Sequence, residues 1–297
     1  MEKQICYYHD DSDGILSAAI VKDIYPHCEL VRCQYGREPT IKPEDVKNKI
    51  VMIVDFSFEK SIMDMIHDEA EILCWCDHHK TAIDKLPDLW VSDRIDGLRQ
   101  TDKSGCMLTW EWFHPNTPAP EVVVLVQDYD IWLHKELKTK PFMEAAAYYM
   151  TEPESPKWHE ALFPDKYPQR DENDLGVVDC MVSFGQVLLK AKQRRIERAY
   201  DKCQINPFMG HDDVVMINCS VGTDISDIGE YVCGDKGHEI SVTWAVYDDN
   251  QVVVQLRSKT IDVGEIAKQN GGGGHKFASG FQTDLNFLNN MLRGRLE

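Results

Sequence analysis

The chain begins with a short apolar and aromatic run, Ile5-Cys6-Tyr7-Tyr8, that stops at His9-Asp10-Asp11-Ser12-Asp13-Gly14. The same pattern recurs. Ile50 to Val54 ends at Asp55, Ile72 to Cys76 ends at Asp77-His78-His79, and Val122 to Val126 leads to Asp128-Tyr129-Asp130. Short apolar runs bounded by polar clusters predict buried strands. Between them the period becomes helical. Ile15 to Val21 reads as a buried helix with Asp13 as its N-cap, and Ile62, Met65, Ile66 and Ala70 lie on one face of a helix over Phe58 to Ala70. Ser104 opens another, running through Trp110, Trp112 and Phe113, whose aromatics are core. Strands alternating with helices predict βαβ units and a mainly parallel sheet. Cys74-Trp75-Cys76 could be a metal pair, but alternation along a strand explains it better.

Further along, the pattern changes. Thr151 to Asn173 is rich in Pro, charge and aromatics, and too apolar at Trp158, Leu162, Phe163 and Tyr167 for a free linker, so it is expected to pack on a domain. Val177 to Cys203 reads as one long helix, apolar early and basic late (Lys190, Lys192, Arg194, Arg195, Arg198); the basic stretch reads as a solvated face. Strand-like runs follow at 214–219, 240–247 and 251–257, then a helix near 263–269. The expectation is an α/β protein of two lobes, with a parallel-sheet domain over 1–175, a connecting helix over 176–205 and a smaller α/β domain over 206–297.

Composition narrows the function. The formal charge of −18 over 297 residues argues against sequence-independent binding along a long nucleic acid, which needs a basic surface. It still permits a short anionic substrate held by metals and a few cations. No apolar run approaches the roughly 20 residues of a membrane span. No secretory signal is evident, and ten cysteines in apolar contexts read as reduced thiols, so a cytoplasmic location is expected.

The chemistry lies at the strand ends, where open α/β sheets bind ligands. Several carboxylates gathered there repel one another unless a cation sits between them. Oxygen ligands mixed with imidazole suit Mn²⁺ or another divalent first-row ion. His9 and Asp11 alternate so that both can face one metal while Asp13 reaches a second. Asp55 on a neighbouring strand can bridge the two, His78 supplies an imidazole, and His79 is free to contact a scissile phosphate or leaving group. Asp77 is either a ligand or an acceptor that fixes an imidazole tautomer. Paired metals activate water and stabilise in-line displacement at phosphorus. In the C-terminal part, Gly271-Gly272-Gly273-Gly274-His275 packs no core, and its use is close backbone approach to an anionic ligand.

These segments resemble the DHH phosphoesterases. His9 to Gly14 is similar to the family's first motif, Val54-Asp55-Phe56-Ser57 to the second, Asp77-His78-His79 to the third, and Asp128-Tyr129-Asp130-Ile131-Trp132 to the fourth in the oligonucleotide-degrading branch. Leu256-Arg257-Ser258, the glycine run and Ala278-Ser279-Gly280-Phe281 resemble the DHH-associated C-terminal domain. The resemblance implies an active site between two lobes and two Mn²⁺ ions, with Mg²⁺ or Co²⁺ as alternatives. The ligands it implies are His9, Asp11, Asp13, Asp55, His78 and Asp128, with Asp130 supporting from outside the coordination sphere. Asp77 and His79 would be catalytic. Arg257, Gly272, Gly273, Gly274 and His275 would bind substrate, since arginine grips phosphate bidentately.

The favoured expectation is a metal-dependent phosphodiesterase releasing mononucleotides from short oligonucleotides, as nano-RNases do, with homodimerisation open. The alternative is a phosphatase or phosphodiesterase for 3′-phosphoadenosine 5′-phosphate or for linear or cyclic dinucleotides. A non-catalytic nucleotide-binding protein is the third reading, disfavoured by the complete ligand set.

Overall fold

The computed structural model of the protein describes residues 3–86, 95–167, 175–219 and 224–296. The chain divides into two compact units, Met1–Leu189 and Lys190–Glu297. In the first, β1 (Gln4–His9), β2 (Glu29–Cys33), β3 (Ile50–Val54), β4 (Ile72–Cys76) and β5 (Ile95–Asp96) form one sheet in the order β2-β1-β3-β4-β5. Every pairing is parallel. The accompanying helices are α1 (Ser12–Ile24), α2 (Pro43–Val46), α3 (Lys60–Glu69), α4 (Lys80–Lys85), α5 (Gly105–Phe113), α6 (Glu121–Asp130), α7 (Thr139–Tyr149) and α8 (Pro156–Leu162).

Both faces of this sheet are covered, which is why its strands are unbroken apolar runs. Cys6, Tyr8, Met52, Val54, Cys74 and Cys76 pack with α1 and α5 to α8, while Ile5, Tyr7, Val51, Ile53, Leu73 and Trp75 pack with α2 and α3 on the other face. Cys74-Trp75-Cys76 thus alternates between two cores, and all ten cysteines are free thiols.

Two local expectations are corrected. Val122 to Val126 is not a strand: it lies in α6, with Pro120 at the N-cap and Glu121 in the first turn. A five-residue apolar run suits a buried helix as well as a buried strand, and here Val122, Val123, Leu125 and Val126 join the core shared with α1, α7 and α8. The cap of α1 is Asp11, which accepts from Gly14 N at 2.9 Å, so Asp13 is free of that task.

The Pro-rich stretch does pack on the first unit as far as it is described. Trp158 of α8 is 1% exposed, joins the core, and donates its indole N–H to Met150 O at 3.1 Å. Residues 168–174 lie outside the described residues.

Helix α9 (Val177–Tyr200) carries the chain into the second unit. There β6 (Gln204–Ile205), β7 (Val214–Asn218), α10 (Ile225–Gly229), β8 (Ile240–Val246), β9 (Val252–Arg257), α11 (Val263–Gln269), β10 (Gly273–His275), β11 (Ala278–Thr283) and α12 (Leu285–Leu292) follow in order. The sheet runs β10-β11-β9-β8-β7-β6, antiparallel except between β7 and β8. One face packs on α11 and α12. The other meets Ile196 of α9, Ile228 of α10 and Val232 beyond it. Part of the basic stretch is neutralised locally: Lys192 pairs with Asp224 and Asp227, and Arg195 with Asp224 at 3.0 Å. No helix among the described residues is long and apolar enough to cross a membrane.

Trp158→Ala should cost about 3–5 kcal/mol of stability, the range for emptying a buried aromatic site. Urea unfolding measures it, and a loss below about 1 kcal/mol would mean that α8 is not part of the core.

Candidate metal centre

In a sheet of order 2-1-3-4-5 the topological switch lies between β1 and β3, and ligands bind beyond the carboxyl ends of strands there. His9 is the last residue of β1, and Asp55 directly follows β3. Asp77-His78-His79 follows β4 on the far side of β3. The Asp55 backbone is in the left-handed region, at φ 53°, and its N–H donates to Cys76 O at 2.8 Å. A non-glycine residue there is strained, a condition that clusters at functional sites.

The side chains converge. His9 Nδ1 is 2.7 Å from Asp11 Oδ2 and 3.7 Å from Asp55 Oδ2. His78 Nε2 is 3.2 Å from Asp55 Oδ1, 3.5 Å from Asp130 Oδ2 and 3.8 Å from Asp13 Oδ2. Three sets of potential ligands result: His9, Asp11 and Asp55; Asp13, His78 and Asp130; and Asp55, His78 and His79. They share Asp55 and His78, so neighbouring cations could use common ligands. Asp10 is drawn off by Arg32, at 3.1 Å.

Asp13 is 1% exposed and accepts from Gly105 N at 2.6 Å and Cys106 N at 2.9 Å. Those amides begin α5, so a carboxylate sits at the positive end of a helix, where it is stabilised. Ser104 caps the same helix. Gly105 was not among the predicted site residues, yet it is required. A Cβ there would lie 2.5 Å from Asp55 Cβ and 2.9 Å from Asp55 Oδ1. The Ser104-Gly105 step at a helix start was visible in sequence, but nothing local tied it to Asp55.

Asp77 is fully buried. Its Oδ1 accepts from His78 N at 2.8 Å, His79 N at 3.2 Å and His79 Nδ1 at 2.7 Å. It therefore orients the His79 ring through Nδ1, and it does not belong to the ligand sets, whereas His79 does.

The assignment of Asp128 as a ligand is corrected. Both its oxygens are used within its own loop: Oδ1 accepts from Lys135 N at 2.8 Å, and Oδ2 from Glu136 N and Thr139 Oγ1. Burial opposes its charge, yet Thr139 and the two amides hold its carboxyl below the usual range. Asp130, expected to play a supporting part, faces His78 instead. The strand reading hid this, because alternation places residues 128 and 130 on one face, whereas two helical steps turn them about 200° apart. Pro120-Glu121 was the available helix-start signal.

The donor set fits divalent cations. Asp55 is 1% exposed, and both its oxygens, like Asp130 Oδ2, are buried with no hydrogen-bond partner among the described residues. Burial, reinforced by Asp13, pushes the Asp55 carboxyl well above its ordinary range. Burial and Asp13 likewise push Asp130 up to about 7. Burial disfavours a charged His9, but Asp11 and Asp55 prevail and raise it to about 10. Protons thus occupy the place that cations would take.

In the second unit, Arg257, Gly272, Gly273 and Gly274 line an open depression of about 820 Å³ along β9, β11 and β10, whereas His275 is exposed and does not line it. The glycine run is largely a strand: Gly273 to His275 pair with β11. A Cβ on Gly272 would lie 2.2 Å from Gly280 O, so close packing requires that glycine; one on Gly273 would meet nothing within 4 Å. The Arg257 guanidinium donates to Leu256 O at 3.0 Å and forms no salt bridge among the described residues.

Comparison with known proteins agrees with this architecture. Residues 216–294 match the DHHA1 domain family. The chain is 26% identical over 246 residues to an uncharacterized protein of Acanthamoeba polyphaga mimivirus, covering 80% of this chain and 54% of that protein. It thus spans about half the length of that curated relative. The pGpG-specific phosphodiesterase PggH of Vibrio cholerae shares the fold, with a TM-score of 0.56 and 14% identity over 98% of this chain and 97% of that one. RecJ of Thermus thermophilus, solved in complex with Mn²⁺, has a TM-score of 0.47 and 16% identity over 99% and 51% of the two chains. Residues 216–294 thus form a DHHA1 domain, and the fold of the whole chain, with Asp77-His78-His79 at the end of β4, is similar to that of the phosphodiesterase PggH.

Asp130→Asn should weaken Mn²⁺ binding at least about tenfold with little change in Tm, whereas Asp128→Asn should mainly lower Tm. Calorimetric metal titration and thermal melts distinguish them; the reverse pattern would restore Asp128 as the ligand. The raised groups also set a pH dependence. Asp130 and His9 bind protons more tightly in the metal-free fold than in the unfolded chain. Their stabilisation is therefore lost as pH rises, from about 4 to 7 for Asp130 and about 6.5 to 10 for His9. Mn²⁺ takes the place of those protons, so the Tm gain on adding it should be larger at pH 8 than at pH 6. Equal gains would exclude these groups as ligands.

Proposed function

We propose that the protein is a two-metal phosphodiesterase that removes mononucleotides from short oligonucleotides, with Mn²⁺ as the working ion. The observation that carries this reading is the cluster of ligand sets sharing Asp55 and His78, with both Asp55 oxygens buried, facing the His9 and His78 imidazoles and without a hydrogen-bond partner among the described residues. His9, Asp11 and Asp55 would hold one ion, and Asp13, Asp55, His78 and Asp130 the other. Ions so held supply an activated water and neutralise charge at phosphorus.

The chain's own side chains do the rest. Asp77 fixes the His79 ring through Nδ1, and His79 Nε2 contacts the phosphate or the departing oxygen. An imidazole held within reach of the departing oxygen is suited to general acid catalysis as the ester bond breaks. The amides at the start of α5 donate to both oxygens of the buried Asp13 carboxyl and fix its orientation. In the second unit, Arg257 donates one guanidinium N–H to Leu256 O and would offer its remaining donors to a phosphate.

The charge of −18 favours short substrates. PggH is described as acting on pGpG, and a linear dinucleotide is the shortest member of the proposed substrate class.

A Mn²⁺-dependent assay over 3′-phosphoadenosine 5′-phosphate, linear and cyclic dinucleotides, oligomers of about five nucleotides and a long single strand tests the proposal. Mononucleotide release should be fastest from the linear dinucleotide and the short oligomers. Asp55→Ala and His78→Ala should each lower kcat/KM at least about 100-fold. Arg257→Ala should raise KM about tenfold with kcat nearly unchanged. Activity confined to 3′-phosphoadenosine 5′-phosphate would replace the proposal with a phosphatase, and full activity in Asp55→Ala and His78→Ala would end the two-metal assignment.

A further inference from the structure

The loop after Asp130 exposes large apolar side chains beside a cluster of carboxylates. Trp132 is 80% exposed and Tyr129 47%. An exposed tryptophan leaves a large apolar surface in water, which a fold tolerates more readily where a ligand covers it.

This loop is built rather than loose. Asp128 O accepts from Leu133 N at 3.0 Å and His134 N at 3.2 Å, while the Asp128 carboxylate accepts from Lys135 N, Glu136 N and Thr139 Oγ1. Trp132 and His134 are both in the left-handed region, at φ 57° and 48°. The Trp132 ring stands perpendicular to that of His134, centroids 5.2 Å apart. Asp128, through its carbonyl and its carboxylate, thus ties down the backbone that follows an indole that remains in solvent.

The indole's position gives it a use. Trp132, Tyr129, Val126 and Met143 line a pocket of about 190 Å³ together with Asp11, Asp13 and Asp130. One wall belongs to the candidate metal centre, and the other is aromatic and apolar. A phosphate at the carboxylate wall, reached through bound cations, would place its sugar and base near the indole. An aromatic face binds any base by stacking, without reading its edges.

We propose that Trp132 is the stacking platform for the nucleobase attached to the phosphate at the metal centre, so that the site selects nucleotides over other phosphate esters. This rests on the phosphodiesterase reading above for the phosphate's position, and it adds the residue that selects a base.

The test is equilibrium binding to the Mn²⁺-loaded full chain, followed by calorimetry, with AMP and ribose 5-phosphate as probes. Wild type should bind AMP about tenfold more tightly than ribose 5-phosphate. Trp132→Ala should abolish that preference while leaving ribose 5-phosphate binding unchanged, and Trp132→Phe should retain most of it. Circular dichroism and Tm should not move, because the side chain is exposed. No AMP binding, equal affinity for the two probes in wild type, or an undiminished preference in Trp132→Ala would overturn the assignment; in the last case the patch would better suit a protein partner. Dinucleotide hydrolysis is measured separately. A base preference lost in Trp132→Ala, with no hydrolysis, would leave the platform standing and remove the phosphodiesterase reading. Hydrolysis without base preference would do the opposite.

Discussion

The first unit is organised around one carboxylate that ought not to be where it is. Asp55 is 1% exposed, and neither oxygen has a hydrogen-bond partner among the described residues. Removing a carboxylate from water without compensation costs several kcal/mol. Asp11, Asp13 and Asp77 nearby add repulsion. In the metal-free state, protons relieve part of that cost. A divalent cation relieves more, because it also meets the oxygens' unused coordination. The strained backbone of Asp55, the close approach of Gly105 and the adjacent ends of β1, β3 and β4 all serve to hold this group in place.

Around Asp55, aspartates of the same chemistry have different tasks, decided by which donors reach them. Asp11 caps α1 while facing His9. Asp13 is stabilised by the start of α5, which keeps a buried charge tolerable. Asp77 spends one oxygen on the two backbone amides and the imidazole beyond it. Asp128 is consumed in shaping its loop, and Asp130, two residues on, enters the cluster. Proximity to a motif in sequence therefore does not identify a ligand; the account of each oxygen's partners does.

The same accounting bears on how an acidic protein can take an anionic substrate. Part of the basic character of α9, at Lys192 and Arg195, is offset by Asp224 and Asp227, while among the described residues Arg257 forms no salt bridge and donates only to Leu256 O. Local cations and bound metals are enough for a short substrate, whereas a long strand needs a continuous basic surface.

Much of this was legible in the sequence, because local pattern determines it. Three of the four apolar runs with acidic or histidine ends, those before His9, Asp55 and Asp77, are buried parallel strands, and the structure brings His9, Asp11, Asp13, Asp55 and His78 together beyond their carboxyl ends. The packing of Trp158 was likewise within reach of hydrophobic patterning. Three features required the tertiary structure. Val122 to Val126 satisfies two periodicities, and only burial among α1, α7 and α8 makes it a helix. The choice of Asp130 over Asp128 follows from that helix and from amides seven and eight residues further along. The need for glycine at 105 arises from Asp55, fifty residues earlier, across a contact that no local pattern encodes. The chain's local chemistry determined which residues could act, and long-range packing decided which oxygens were left free to do so.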